Sequence, residues 1–352
     1  MEGLKRQASA ILDPAERLRD RHWLATAFST ASMVPVLEGA WDDAREFIDR
    51  GLNLMPMDPR LLIERELLEF QVGDYAQGQD YLERLQEVIR LSPAGPTTAN
   101  ATLALASPIA ASISGEVRDP HPGEASIAAV LSSPTATPFF TLWARAGASL
   151  LAVMRGESGR AKEHYAALKS SPGLMILYVC SDRVLGLLAQ TLGNLDQSAA
   201  HFEDALAFCR RAGYRPELAW TCYDYAGCLL AGADLKPALA RAAQEKTMSL
   251  LDESLAIATG LGMRPLVERI TERLQRIEAP PPAAPAYPDG ITRREVEVLL
   301  LIAAGKTNRE IADTLFISPN TVGHHVGNLL SKTISSNRAE LATYAARHGL
   351  TP

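Results

Sequence analysis

Long apolar runs, paired cysteines and alternating hydrophobicity are all scarce in this sequence, and each shortage removes a class of protein. No stretch of 18 apolar residues occurs; "TPFFTLWARAGASLLAVM" comes nearest and is broken by Arg145, so no membrane-spanning helix is expected. The N-terminal "MEGLKRQASAILDPAER" has no apolar core of signal-peptide length, and the expectation is a cytoplasmic protein. Four cysteines, Cys180, Cys209, Cys222 and Cys228, show neither CxxC nor paired spacing. They read as buried reduced thiols of a reducing compartment rather than a disulfide or zinc framework. Without period-two alternation or a βαβ rhythm, a sheet-based architecture is excluded, while low aromatic content (6%) beside recurrent alanine and leucine favours helix. Charge of one sign is not in large excess either. The net charge of −6 suits solubility and argues against a uniformly nucleic-acid-coated protein. Its distribution is uneven: residues 287–352 hold 7 Lys+Arg and 6 Asp+Glu, leaving 28 and 35 for the rest.

What is present is a chain of 352 residues, 47% hydrophobic and 22% charged, long enough for two or three domains with a sizeable core. The clearest boundary is "APPPAAPAYPDG", residues 279–290, where five prolines hold the backbone extended and deny it helical hydrogen bonds. Ahead of it, helix follows helix with Gly and Pro punctuation. "EGAWDDAREFIDRGLNLMPMDP" and "VGDYAQGQDYLERLQEVIRLSP" superpose at a constant offset: Gly39 to Gly73, Trp41 to Tyr75 and Pro59 to Pro93 are each 34 residues apart. A glycine ending the first helix, an aromatic packing between two helices and a proline stopping the second make a helical hairpin. "GESGRAKEHYAALKSSPG", "LGNLDQSAAHFEDALAFCRRAG" and "LLDESLAIATGLGMRP" repeat the pattern more loosely, and residues 94–137 fit it worst. The period resembles that of tetratricopeptide repeats, so residues 15–278 are expected to form a tetratricopeptide-like α-solenoid in which stacking supplies the core. A generic helical array is the alternative.

The tail reads as four short helices. Thr292 and Glu295 stand at capping-box spacing in "TRREVEVLLLIAAG", whose Val296, Leu299, Leu300 and Ala303 share a face and which Gly305 stops. Thr307 and Glu310 repeat the device, with Ile311, Ala312 and Leu315 inward. Ser318 and Pro319 then start a helix striped by Val322, Val326, Leu329 and Leu330. Asn337 and Glu340 open the last one, which closes at Gly349. A tight connection between the second and third helices makes a helix-turn-helix unit, whose third helix is anchored on one side and free on the other.

At these residues the chain resembles the LuxR-type DNA-binding domain. The likeness rests on "ITRREVEVL", "GKTNREIADTLFISPNTVGHHVGNLLSK" and "NRAELATYA", over about residues 288–350, with Ile291 where the family usually has Leu. A helical-repeat array ahead of it is similar to the C-terminal part of the large ATP-binding LuxR-type regulators. The fold expected overall is all-α, a repeat solenoid followed by a four-helix DNA-binding domain. The resemblance implies a transcription regulator binding double-stranded promoter DNA as a homodimer, with helix 319–332 in the major groove. The repeats would receive a protein or small-molecule effector, and no membrane is involved.

Candidate DNA contacts are Thr307, Asn320, Thr321, Gly323, His324, Gly327, Asn328, Lys332 and Arg338. Hydroxyls and Lys suit phosphate oxygens, and groove-facing polar groups suit base edges. Arg338 reads equally as a phosphate contact or a solvated charge near a helix start. His325 reads as a packing residue beside Val322 and Val326. Thr321, His325, Val326 and Lys332 match the family pattern, whereas Gly323 and Gly327 replace residues that are commonly long, basic or polar there. Base readout would then rest on His324, Asn320 and Asn328. Weakened readout leaves a protein-interaction adaptor as the second expectation.

No cofactor, metal or catalytic site is expected. The GKT at 305–307 lacks the glycine a phosphate loop needs five residues earlier, where Leu300 stands. His324 and His325 are neighbours about 100° apart on a helix and diverge. Acidic runs such as Asp42, Asp43 and Glu46 read as solvated faces, and no nucleophile–base set is visible.

Overall fold

The computed structural model describes residues 10–12, 14–92, 95–115, 121–235, 240–278, 287–315 and 318–350. It divides into two compact units, residues 1–274 and 275–352.

The N-terminal unit contains α1 (Arg21–Glu38), α2 (Trp41–Leu54), α3 (Pro59–Val72), α4 (Tyr75–Leu91), α5 (Thr98–Ser114), α6 (His121–Leu131), α7 (Pro138–Met154) and α8 (Ser158–Leu168). After a short hairpin of β1 (Met175–Ile176) and β2 (Val179–Cys180) come α9 (Ser181–Thr191), α10 (Leu195–Ala212), α11 (Arg215–Leu235), α12 (Ala240–Gly260) and α13 (Arg264–Glu278). Local chemistry sets these limits. The Asp20 carboxylate accepts the first free amides of α1, from His22 (2.9 Å) and Trp23 (3.0 Å). Asp58 does the same for α3, whose first position is Pro59. Gly39 and Gly73 end α1 and α3 at φ 80° and 82°, a left-handed conformation that glycine adopts without a Cβ clash. The 34-residue landmarks therefore fall at helix ends, with Trp41 and Tyr75 opening α2 and α4. Pro59 does more than stop α2, since it starts α3. Pro93 lies outside the described residues.

Successive helices pair as hairpins: α1 with α2, α3 with α4, and so on to α11 with α12. The first helices of these hairpins also touch in order, α1 to α3, α5, α7, α9 and α11, and α11 returns to α1. A strictly one-dimensional array contacts only neighbouring repeats; here the row closes. Trp41 Nε1 donates to the Leu261 carbonyl (2.6 Å), and Trp220 Nε1 donates to Gln71 Oε1 (2.8 Å). Arg264 and Arg269 of α13 donate to the carbonyls of Val72 (2.8 Å) and Ile113 (2.9 Å), at the ends of α3 and α5. The tightest approach is between α5 and α7, where a Cβ on Gly147 would lie 1.9 Å from the Ala104 carbonyl oxygen. Only glycine lets the two backbones meet there.

The C-terminal unit follows a single 3-10 turn at Pro288–Gly290 with α14 (Arg293–Ala303), α15 (Asn308–Leu315), α16 (Pro319–Lys332) and α17 (Arg338–Arg347). The four helices expected for the tail are these. Their core is Ile291, Val296, Val298, Leu299, Ile302, Ile311, Ala312, Val322, Leu329, Leu341 and Ala345, with Leu300, Leu315, Val326 and Leu330 half-buried against it. The inward stripe of α14 includes Val298 and Ile302, beyond the four residues its spacing suggests. The Thr292–Glu295 capping box is present in full. Tyr344 donates to Asp289 Oδ2 (2.7 Å) and so ties α17 to the turn that enters the unit.

Candidate nucleic-acid interface

α16 begins where Ser318 accepts the Thr321 amide (3.1 Å) and Pro319 takes the first helical position. Over 14 residues it buries Val322 and Leu329 completely, with Val326 and Leu330 beside them. The helix touches α14, α15 and α17, and these four side chains belong to the core it shares with them. The opposite face carries Asn320, Gly323, His324, Gly327, Asn328 and Ser331, every one exposed. At about 1.5 Å rise per residue the helix is about 21 Å long, a length and girth that a DNA major groove of about 12 Å width admits.

The two glycines are open. A Cβ at Gly323 or Gly327 would meet nothing within 4 Å. Each leaves a gap in the front face and destabilises the helix by roughly 1 kcal/mol relative to alanine. His324, Asn320 and Asn328 are thus the long polar groups of this face. Thr321 is half-buried, and its hydroxyl lies 2.8 Å from that of Ser318, within the cap. His325 is half-buried, alongside the core stripe.

Three other candidates hold the domain together. Thr307 is exposed and caps α15: its amide and hydroxyl donate to Glu310 Oε2 at 2.7 and 2.9 Å. These bonds hold the Glu310 carboxyl below the usual carboxylate range. Lys332 donates to Glu295 Oε2 (2.7 Å) and to the Gly290 carbonyl (3.0 Å). Burial pushes the Glu295 carboxyl up, but the Lys332 ammonium and the Thr292 amide and hydroxyl outweigh it and leave the net shift downward. The same carboxylate therefore caps α14 and anchors the end of α16. Arg338 donates from Nη1 to Asn308 Oδ1 (2.9 Å) and from Nη2 to the Lys306 carbonyl, joining α17 to the start of α15. Burial pushes its guanidinium below the usual value.

Two cations outside the candidate DNA contacts are better placed to meet an anion. Lys306 and Arg309 are exposed and make no ion pair among the described residues. Both flank the Thr307 cap at the N-terminus of α15, whose free amides and helix dipole also favour negative charge. Their signal was available, since they are the two basic residues nearest the turn before α15.

Among the described residues of the N-terminal unit, one group has metal-like composition: Asp182, His201 and Asp204 bring their donor atoms within 4.8 Å of one another. His201 Nε2 lies 2.8 Å from the Tyr165 hydroxyl, and Asp182 accepts the Gly173 amide at 2.6 Å, so both have protein partners already.

Residues 289–345 match the family model of the luxR family of bacterial regulatory proteins. The transcriptional regulatory protein LiaR of Bacillus subtilis (strain 168) is 50% identical over 62 residues, 18% of this chain and 29% of that protein. The response regulator protein VraR of Staphylococcus aureus (strain Mu3) is 47% identical over 60 residues, 17% of this chain and 29% of that protein. The chain thus spans less than a third of the length of these curated relatives. The C-terminal unit carries a LuxR-type helix-turn-helix domain.

Proposed function

We propose that the protein is a DNA-binding transcription regulator in which α16 enters the major groove of promoter DNA and the N-terminal helices receive a signal. The observation that carries this reading is the division of α16 into a back wholly packed by Val322 and Leu329 and a front left bare from Asn320 to Ser331. His324, Asn320 and Asn328 are the base-reading groups, and Gly323 and Gly327 are points of close helix approach without side-chain reach. Thr307 and Thr321 offer hydroxyls, while Lys306 and Arg309 supply the free positive charge for phosphates. Lys332 and Arg338 act from behind by fixing the ends of α16 and α17. One short helix reads few base pairs, so a homodimer on a two-fold site is expected. The relatives named above carry regulator names, which supports the reading. The helical hairpins with their 34-residue period support a tetratricopeptide-like ancestry for the receiving unit. Selection from a random duplex pool by the full chain tests the proposal: an enriched inverted repeat is expected, and a pool that stays random after selection rejects it.

A second reading is favoured by one specific feature, the pairing of Lys332 and Arg338 inside the domain beside two open glycines. It makes the tail weak on DNA and the protein an interaction adaptor. The double substitution Gly323→Lys, Gly327→Lys separates the two. DNA binding that exists only in the double variant favours the adaptor; binding already present in the unaltered chain favours the regulator.

A further inference from the structure

The short hairpin between α8 and α9 sits at an unusual place. Its root is fixed: the Gly173 amide donates to Asp182 (2.6 Å), the Leu174 amide to the Ser181 hydroxyl (3.0 Å), and the Cys180 amide to Glu217 (2.6 Å). Met175 pairs with Cys180 and Ile176 with Val179, leaving Leu177 and Tyr178 as the two-residue tip. Leu177 stands at φ 58°, a left-handed conformation strained for a side chain with a Cβ. Tyr178 lines a void of about 20 Å³ together with residues of α1, α2, α3, α5 and the start of α11. Its hydroxyl oxygen is wholly buried and has no hydrogen-bond partner among the described residues.

Other polar groups around the void are already satisfied. Glu217 accepts from Arg183 Nε (2.8 Å) as well as from Cys180, so its charge is neutralised in the wall. Gln71 Oε1 accepts from Trp220, and the Trp41 indole donates to Leu261. Leu37, Leu67 and Ile109 make the remaining walls apolar. The chamber therefore presents one unused donor and a largely apolar lining, with the buried Glu64 carboxyl near enough to act on the Tyr178 hydroxyl. A strained turn and a buried, unpartnered hydroxyl thus converge on one void.

We propose that this chamber is a ligand site, closed in the present state, for a small neutral molecule with an apolar body and one hydrogen-bond acceptor that takes the Tyr178 proton. The Leu177–Tyr178 tip is its gate: moving outward it relaxes Leu177 and enlarges the void, and the bound acceptor satisfies the hydroxyl. The idea deepens the reading of the N-terminal unit as the signal receiver and rests on that reading for its regulatory meaning alone.

Saturation-transfer NMR on the full chain tests it with two probes, acetophenone, which carries an acceptor, and ethylbenzene, which has a similar body and none. Saturable acetophenone binding is expected, weakened about ten-fold in Tyr178→Phe, while ethylbenzene binds both chains alike. Ile109→Phe, which fills the wall, is expected to abolish binding of both probes with the helical circular dichroism unchanged. Absence of saturable acetophenone binding, or equal binding to the unaltered and Tyr178→Phe chains, overturns the proposal. Duplex affinity of the same chain is measured separately without probe, so a failed DNA assay and a failed probe assay stay distinct.

Discussion

Glu66, in the middle of α3, is fully buried and neither carboxylate oxygen has a partner among the described residues. Burial alone pushes its pKa up from 4.5 to about 8. Folding therefore keeps a proton on Glu66 that the unfolded chain sheds above about pH 4.5. Because the native state holds more protons, stability is full at low pH and falls as pH rises through this window. At 1.36 kcal/mol per unit, the loss amounts to roughly 3 kcal/mol at pH 7 and roughly 5 kcal/mol above pH 8. Glu64, buried one position before Arg65, is likewise pushed up to about 8 by burial, although hydrogen bonds from Ser32 and Ser29 draw it down. His164 works the other way, because burial lowers its pKa and favours the neutral ring. Comparison with Glu66→Gln isolates one group from this sum, since glutamine keeps the shape and cannot ionise. All four tryptophans, Trp23, Trp41, Trp143 and Trp220, lie in the N-terminal unit, so tryptophan fluorescence during urea unfolding reports on that unit. The variant and the unaltered chain are expected to agree near pH 5 and to separate above it, the variant being the more stable by a few kcal/mol at pH 8. Equal pH slopes in the two chains would falsify the assignment of a buried protonated carboxyl to Glu66.

Three further substitutions have outcomes worked from the same contacts. Lys332→Ala leaves the buried Glu295 carboxylate without its cation and should cost the C-terminal unit about 1–3 kcal/mol, read as faster hydrogen exchange in α14 and α16. Gly147→Ala forces α5 and α7 apart and should destabilise the N-terminal unit by about 1–3 kcal/mol or more; an unchanged fluorescence midpoint contradicts the close approach. Ile334, exposed at φ 53° after α16, is a β-branched residue in a left-handed conformation, so Ile334→Gly should stabilise the C-terminal unit by about 1 kcal/mol in calorimetry.

Much of this structure was legible where its causes are local. The Thr292–Glu295 and Thr307–Glu310 boxes, the Ser318–Pro319 start and the Asn337 cap each act across three residues, and all appear as expected. Gly39 and Gly73 likewise mark helix ends through their own backbone preference. Long-range partnerships were not legible. Lys332 meets Glu295 37 positions away, and Arg338 meets Asn308 30 positions away, so two residues with the look of phosphate contacts are bound inside the domain. Closure of the helical row depends on pairs such as Trp41 with Leu261, for which no periodic signal exists. The hairpin at Met175–Cys180 has two residues per strand, too few to show an alternation.

On the proposed reading the bare face of α16 meets a duplex, and Lys306 and Arg309 bring exposed positive charge to its phosphates. The most direct test is the affinity of the full chain for duplex DNA measured across a series of salt concentrations. Two domains that each bring Lys306 and Arg309 to the duplex neutralise about four phosphates through these residues, so log affinity should fall with log salt at a slope near −4 or steeper, and Lys306→Ala with Arg309→Ala should make the slope clearly shallower. An affinity that ignores salt, or no duplex binding even at low ionic strength, contradicts the account.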